Sequence, residues 1–178
     1  MDKSSEARLK LVHPVLASKV RQMAATLLAE GIEIRVVQGL RTYQEQAALY
    51  AKGRTTRGPI VTKAKPGYSY HNCGLAVDLI PGVRGSKPWQ PNWTDRQHGK
   101  LTPDYARMVE LGKSVGLVSG SDFQSLIDDP HFQMTGSFPI GCPPEPAREL
   151  MAKGDLKAVW TMAGLAVEES ATASQAAG

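Results

Sequence analysis

Four histidines occur in the chain, His13, His71, His98 and His131. Two of them stand beside carboxylates in short, dense segments. These are Ser69-Tyr70-His71-Asn72-Cys73-Gly74-Leu75-Ala76-Val77-Asp78 and Asp128-Asp129-Pro130-His131-Phe132-Gln133. Imidazole and carboxylate together suit proton transfer or the holding of a divalent metal. His71, Asp78 and His131 make a three-ligand set with no convincing fourth member. A structural zinc site takes four protein ligands, often thiolates, whereas a catalytic one keeps a position open for water. The two cysteines, Cys73 and Cys142, show no CxxC spacing and are too few for a disulfide framework. The bland alternative is that each histidine is a hydrogen-bonded core residue and each aspartate a turn former. Two histidines and one carboxylate also hold Fe(II) in oxygenases. Those enzymes usually space the first histidine and the carboxylate more closely than the seven-residue step from His71 to Asp78, and the residues alone leave the metal open.

Elements must bring these groups together. Leu16, Val20, Met23 and Leu27 recur at helical spacing, so a helix is predicted over about 14–30, stopped at Gly31. Ile32 to Val36 alternates apolar and polar residues as a half-buried strand does. Thr42-Tyr43-Gln44-Glu45 is a capping box opening a helix to about Lys52, closed by Gly53. The stretch from Arg54 to Tyr70 reads as loop. Gly74 to Ile80 reads as a strand with Leu75, Val77 and Leu79 on a core face and Ala76 and Asp78 on the other. Small Ala76 leaves room beside Asp78, and the bend at Gly74 lets His71 converge on it. Residues 81–100 suggest a long loop or lid, in which Trp89 and Trp93 are either cleft-lining or packing anchors. Thr102-Pro103 starts a helix reaching about Ser114, His131 to Met134 forms another strand, and Asp155 caps a final helix. The expected architecture is α+β, with a domain over 1–167 and a disordered tail over 168–178.

At 178 residues and 42% hydrophobic content the chain can bury a real core, which excludes a disordered protein. No apolar run approaches the roughly 18–20 residues of a membrane span. The opening Met1-Asp2-Lys3-Ser4-Ser5 lacks the basic and apolar regions of a signal peptide, so synthesis in the cytoplasm is expected. The net charge of +4 is small, and Lys63, Lys65, Arg54 and Arg57 form the one modest basic concentration, read as a solvated loop. Neither nucleic-acid binding nor stable membrane association is expected, and a monomer is. A mild positive field suits an anionic polymer such as a bacterial cell wall.

The segment Ser69-x-His71-x-x-Gly74-x-Ala76-x-Asp78 matches, at every defined position, the SxHxxGxAxD signature of the zinc D,D-carboxypeptidase and L-alanyl-D-glutamate peptidase family, the VanY-like peptidases. Asp128-x-x-His131 resembles that family's second block. Gly39-Leu40-Arg41-Thr42, with Gln46, Leu49-Tyr50 and Gly53-Arg54-Thr55, resembles its Arg-bearing segment. The resemblance spans about residues 11–165. It implies a compact α+β domain of the Hedgehog/D,D-peptidase-like kind, with a central antiparallel sheet flanked by helices. It also implies one zinc in a cleft, held by His71, Asp78 and His131, and cell-wall peptide as substrate. Asp128, where D,D-carboxypeptidases usually carry Glu, and the Pro66 to Asn72 run look like the phage endolysin branch that cuts L-alanyl-D-glutamate bonds. Such an enzyme would reach the wall only after the membrane is permeabilised. Trimming of terminal D-Ala, or cell-wall binding without cleavage, are the alternatives.

The resemblance makes Arg41 a substrate-binding and oxyanion-stabilising group; its bland role is an ion pair with a structural carboxylate. Ser69 either contacts substrate or shapes the turn before His71. Cys73 reads as a small packed residue, with a thiolate ligand as the alternative. Two carboxylates compete as catalytic base. Strand alternation from His131 would put Asp129 on the metal side, but Pro130 invites a turn, and the acid-x-x-His spacing selects Asp128, leaving Asp129 as turn former or ligand orienter.

Overall fold

The computed structural model describes residues 1–92 and 101–167. His98, Trp93 and the 168–178 tail lie outside the described residues. The elements are α1 (Lys3–Leu9), α2 (Pro14–Ala29), β1 (Ile34–Gln38), α3 (Tyr43–Ala51), β2 (Ala76–Pro81), α4 (Pro103–Ser114), β3 (Val118–Ser119), β4 (His131–Gln133), α5 (Glu145–Ala152) and α6 (Leu156–Met162). The four strands form one antiparallel sheet in the order β1-β2-β4-β3. The fold is therefore the α+β arrangement expected.

Local chemistry explains most boundaries. Thr42 accepts from the Glu45 N–H while the Glu45 carboxylate takes the Thr42 N–H, a complete capping box. Thr102 and Asp155 cap α4 and α6 through the N–H groups of Tyr105 and Ala158. β1 begins two residues later than the alternation suggests. Gly31 turns left-handed (φ 79°) and the Ile32 N–H bonds the Leu27 carbonyl, so Ile32 belongs to the wrap that ends α2. His13 is the N-cap of α2: its Nδ1 accepts from the Val15 N–H, and its Nε2 donates to the Leu165 carbonyl.

Strand alternation separates core from chemistry. Val77 pairs with Phe132 across β2 and β4, facing the helices, while Asp78 pairs with His131 on the opposite face. Gly112 of α4 meets both Phe132 and Met23 of α2, all fully or nearly fully buried. The outer edge of β1 is covered by α1: the Ser5 hydroxyl accepts the Val36 N–H, and Arg8 donates to the Val36 carbonyl.

Gly112 allows the closest of these contacts. A Cβ there would lie 2.3 Å from Phe132 Cε1 and 2.7 Å from Cδ1. Ala in a helix normally gains about 1 kcal/mol over Gly. Forcing a methyl against a fully buried ring costs about 1–3 kcal/mol, so the sign should reverse. Gly112→Ala is expected to lower the urea midpoint, and a raised midpoint would contradict this packing.

Candidate metal centre and catalytic cleft

Asp78 and His131 come together because they are direct cross-strand partners. His71 arrives from a 3-10 turn, Tyr70–Cys73, whose first hydrogen bond runs from the His71 N–H to the Ser69 hydroxyl. Gly74 ends that turn at φ 66°, a left-handed conformation that a side chain would strain, and packs against the backbone of Leu11 and Val12. His71 Nε2 then lies 3.1 Å from Asp78 Oδ1 and 3.2 Å from His131 Nδ1, and His131 Nδ1 lies 3.4 Å from Asp78 Oδ1. One ligand atom from each residue falls within 4.8 Å of the others.

The outward-facing nitrogens decide which lone pairs point inward. His71 Nδ1 is 2.8 Å from the Gly39 carbonyl, which can only accept, so Nδ1 carries the proton and Nε2 is left as a donor atom for a metal. On the other histidine, Nε2 is 2.8 Å from Gln133 Oε1. The Gln133 amide has one orientation because its NH₂ donates to the Ile140 carbonyl at 2.7 Å. His131 therefore carries its proton on Nε2 and turns the Nδ1 lone pair inward. Gln133 stands opposite Ala76 in the sheet, and beside that small residue its amide reaches His131. The donor set fits a metal taking two imidazoles and a carboxylate.

Burial works against ionisation of Asp78, yet the charges and hydrogen bonds of His71 and His131 hold its carboxyl far below the usual range. Burial likewise opposes charge on His131, and the Asp78 hydrogen bond and charge overcome it and raise its pKa. The cluster opens on a cavity of about 380 Å³ lined also by Arg41, Ser69, Lys63, Phe123 and Asp128. Burial pushes the Asp128 carboxyl above its ordinary pKa, and the negative charge of Asp78 adds to this; His131, His71 and Arg41 offset part of it. Asp129 is buried and takes the Ser121 hydroxyl at 2.8 Å. The turn at Asp129 and Pro130, closed by the His131 N–H on the Asp128 carbonyl, breaks the alternation that would have aimed Asp129 at the cluster. Gly120 admits that turn: a Cβ there would sit 2.2 Å from the Asp128 carbonyl oxygen.

Arg41 is almost fully buried, with Nη2 3.5 Å from Asp78 Oδ2 and Nη1 donating to Gln46 Oε1 at 2.9 Å. Its Nε has no hydrogen-bond partner among the described residues. Gln46 also donates to the Ala64 carbonyl, and Asn72 joins the Gly67 N–H to the Arg41 carbonyl, so two side chains hold the arginine loop against the wall of the cleft. Trp89 is absent from the cleft and packs on Arg35 and Gly82. Cys73 is fully buried, donates to the Tyr70 carbonyl, and has its thiol pushed up to about 12 by burial, as befits a packed residue. Gly39, Asn72 and Gln133 carry positioning roles that residue type alone does not announce.

A buried donor set at the floor of an open cleft, with a carboxylate and an arginine in its walls, is hydrolase equipment. The profile of the VanY family, described as D-alanyl-D-alanine carboxypeptidase, matches residues 9–120. The chain belongs to this family of peptidases. The matched span includes His71, Asp78 and Arg41 and ends before Asp128 and His131. The chain is 36% identical over 124 residues to the peptidoglycan L-alanyl-D-glutamate endopeptidase CwlK of Bacillus subtilis (strain 168), covering 69% of this chain and 73% of that protein. It is 29% identical over 124 residues to the L-alanyl-D-glutamate peptidase of Listeria phage A118, covering 66% of this chain and 37% of the phage protein. Among solved structures it is similar in fold to the LdcB LD-carboxypeptidase, with a TM-score of 0.50, 19% identity, and 84% of this chain and 68% of that one covered.

The tautomer assignment is directly measurable. At a pH that leaves the ring neutral, nitrogen NMR of the metal-free protein should show the His131 proton on Nε2. Gln133→Leu should abolish that preference and cost about 1–3 kcal/mol of stability through the orphaned groups. A His131 that keeps its tautomer in the variant would remove Gln133 from this role.

Proposed function

We propose that the chain is a zinc-dependent peptidoglycan endopeptidase that cuts the L-alanyl-D-glutamate bond of stem peptides, with a phage endolysin's role in lysis. The observation that carries the chemistry is the convergence of inward lone pairs from His71, Asp78 and His131 beside Asp128 and Arg41 in one cleft. The choice of bond leans on the names of the Bacillus and Listeria phage relatives.

In this reading His71 Nε2, His131 Nδ1 and an Asp78 oxygen would hold the zinc, and the chemistry it would supply there is polarisation of the scissile carbonyl and acidification of water. Asp128 takes the proton of the attacking water and passes it to the leaving amine nitrogen. Burial and the nearby Asp78 charge raise its pKa, which makes it a better proton acceptor than an ordinary exposed carboxylate. Arg41 donates an N–H to the carbonyl oxygen as negative charge builds there. The Asp78 carboxylate and Gln46 hold its guanidinium in place beforehand, so little reorganisation is needed during reaction. Ser69 is committed through its oxygen to the His71 turn and lines the cleft from a buried position.

The family description favours a second reading, release of terminal D-alanine. Digested cell-wall sacculi separate the two. New N-terminal D-glutamate, or its amide, is expected together with solubilisation of the wall; free D-alanine as sole product would assign the second activity. Exhaustive chelation should abolish turnover and zinc restore it, and full activity without metal would exclude the site. Asp128→Asn is expected to keep its zinc and fold and lose about 10²–10⁴-fold in kcat, with Asp129→Asn far milder. The reverse ranking would move the base to Asp129.

A further inference from the structure

We propose that the groove between β1 and α3 is a subsite for the amino sugar to which the L-alanine of the stem peptide is joined. The proposal rests on the L-alanyl-D-glutamate reading above and adds the direction in which substrate lies across the cleft. The groove encloses about 510 Å³ and is lined by Val37, Gln38, Glu45, Ala48, Leu49 and Lys52. It is continuous with the catalytic cleft, because Arg41, Leu49 and Asp78 line both.

Sheet order sets the polarity. β1 flanks Asp78 on one side, with Gln38 as the cross-strand partner of Asp78. β4 flanks it on the other side, carrying His131 and, just before the strand, Asp128. Asp128 lines the cleft and not the groove. The group that returns a proton to the leaving amine must stand beside that nitrogen, so the D-glutamate half of the substrate lies toward Asp128. The acyl half, L-alanine, must then leave over Arg41 toward β1 and α3.

L-Alanine is a single residue, about 3.5 Å of chain. Its own nitrogen is acylated by the lactyl group of muramic acid, so the lactyl carbonyl stands one residue beyond the scissile carbonyl and the sugar ring follows it into the groove. The lining suits that ligand. Val37, Ala48 and Leu49 offer an apolar shelf, and Gln38 and Lys52 have side chains that form no hydrogen bond within the described residues. The buried Nε of Arg41, also without a partner among those residues, belongs to the side chain where the two spaces join.

Two probes test the subsite in the zinc-loaded enzyme: a disaccharide-linked stem peptide, and the same peptide with its L-alanine merely N-acetylated. The wild type should favour the first in kcat/KM by about tenfold or more. Ala48→Trp fills the groove from an exposed position on α3 and should bring the ratio of the two values near one. Ala47→Trp, about 100° further round the helix, should keep the ratio. Independently of any variant, N-acetylmuramoyl-L-alanine should inhibit cleavage of the acetylated peptide at least tenfold better than N-acetyl-L-alanine. Equal kcat/KM on both probes, a preference that survives Ala48→Trp, or equal inhibition would overturn the subsite and leave the bond assignment standing. Cleavage of neither probe would overturn the bond assignment and the subsite with it.

Discussion

The pairing of Asp78 with His131 across β2 and β4 organises the rest of the molecule. Neighbouring residues of the same strands, Val77 and Phe132, point the opposite way into the helices. A slip of one residue would drive the carboxylate and imidazole into apolar packing and expose a phenyl ring. Core packing therefore holds the register, and the register holds the candidate ligands. A buried carboxylate beside two imidazoles is otherwise costly, since desolvation opposes its charge. Here the Arg41 guanidinium stands 3.5 Å from one carboxylate oxygen, while the other oxygen faces the ring nitrogens of His71 and His131, where a metal cation or a ring proton would balance the charge.

Beyond the sheet, the cleft is assembled from loops tied to one another by side-chain amides. Gln46 connects Arg41 to the segment around Ala64, Asn72 connects Gly67 to the arginine loop, and Gln133 connects His131 to Ile140. Each amide donates and accepts at once, so each can bridge two elements with no net charge. Lys63 adds a bond to the Ser125 carbonyl across the cleft, on the surface, where it is worth less.

Much of this was legible because the signals are local. The caps at Thr42, Thr102 and Asp155 each act within one helical turn, and the His71 to Asp78 segment packs turn, glycine and strand into a few residues. What escaped depends on distant partners. The seven-residue α1 is too short to show a period, and α5 starts from Pro144 as N-cap, with no side-chain cap to mark it. β3 has only two residues and exists through its partner β4. The Gly39 carbonyl has no signature in residue type, and Gln133 acquires its role from the strand register. The choice between Asp128 and Asp129 turned on Pro130: spacing and alternation disagreed, and the turn places Asp128 in the cleft and Asp129 against Ser121.

The covering of β1 by α1 bears on how a peptide can be gripped. Ser5 and Arg8 occupy the donor and acceptor of Val36 that an added strand would need. Capture by strand addition works for a chain of uniform handedness, whose side chains alternate regularly above and below the sheet. A substrate in which an L residue is followed by a D residue breaks that alternation at the bond to be cut. A sealed edge thus forfeits nothing toward such a ligand, and it denies ordinary all-L polypeptides a foothold beside the cleft. Discrimination by chirality would then begin with the backbone, before any side-chain pocket is consulted.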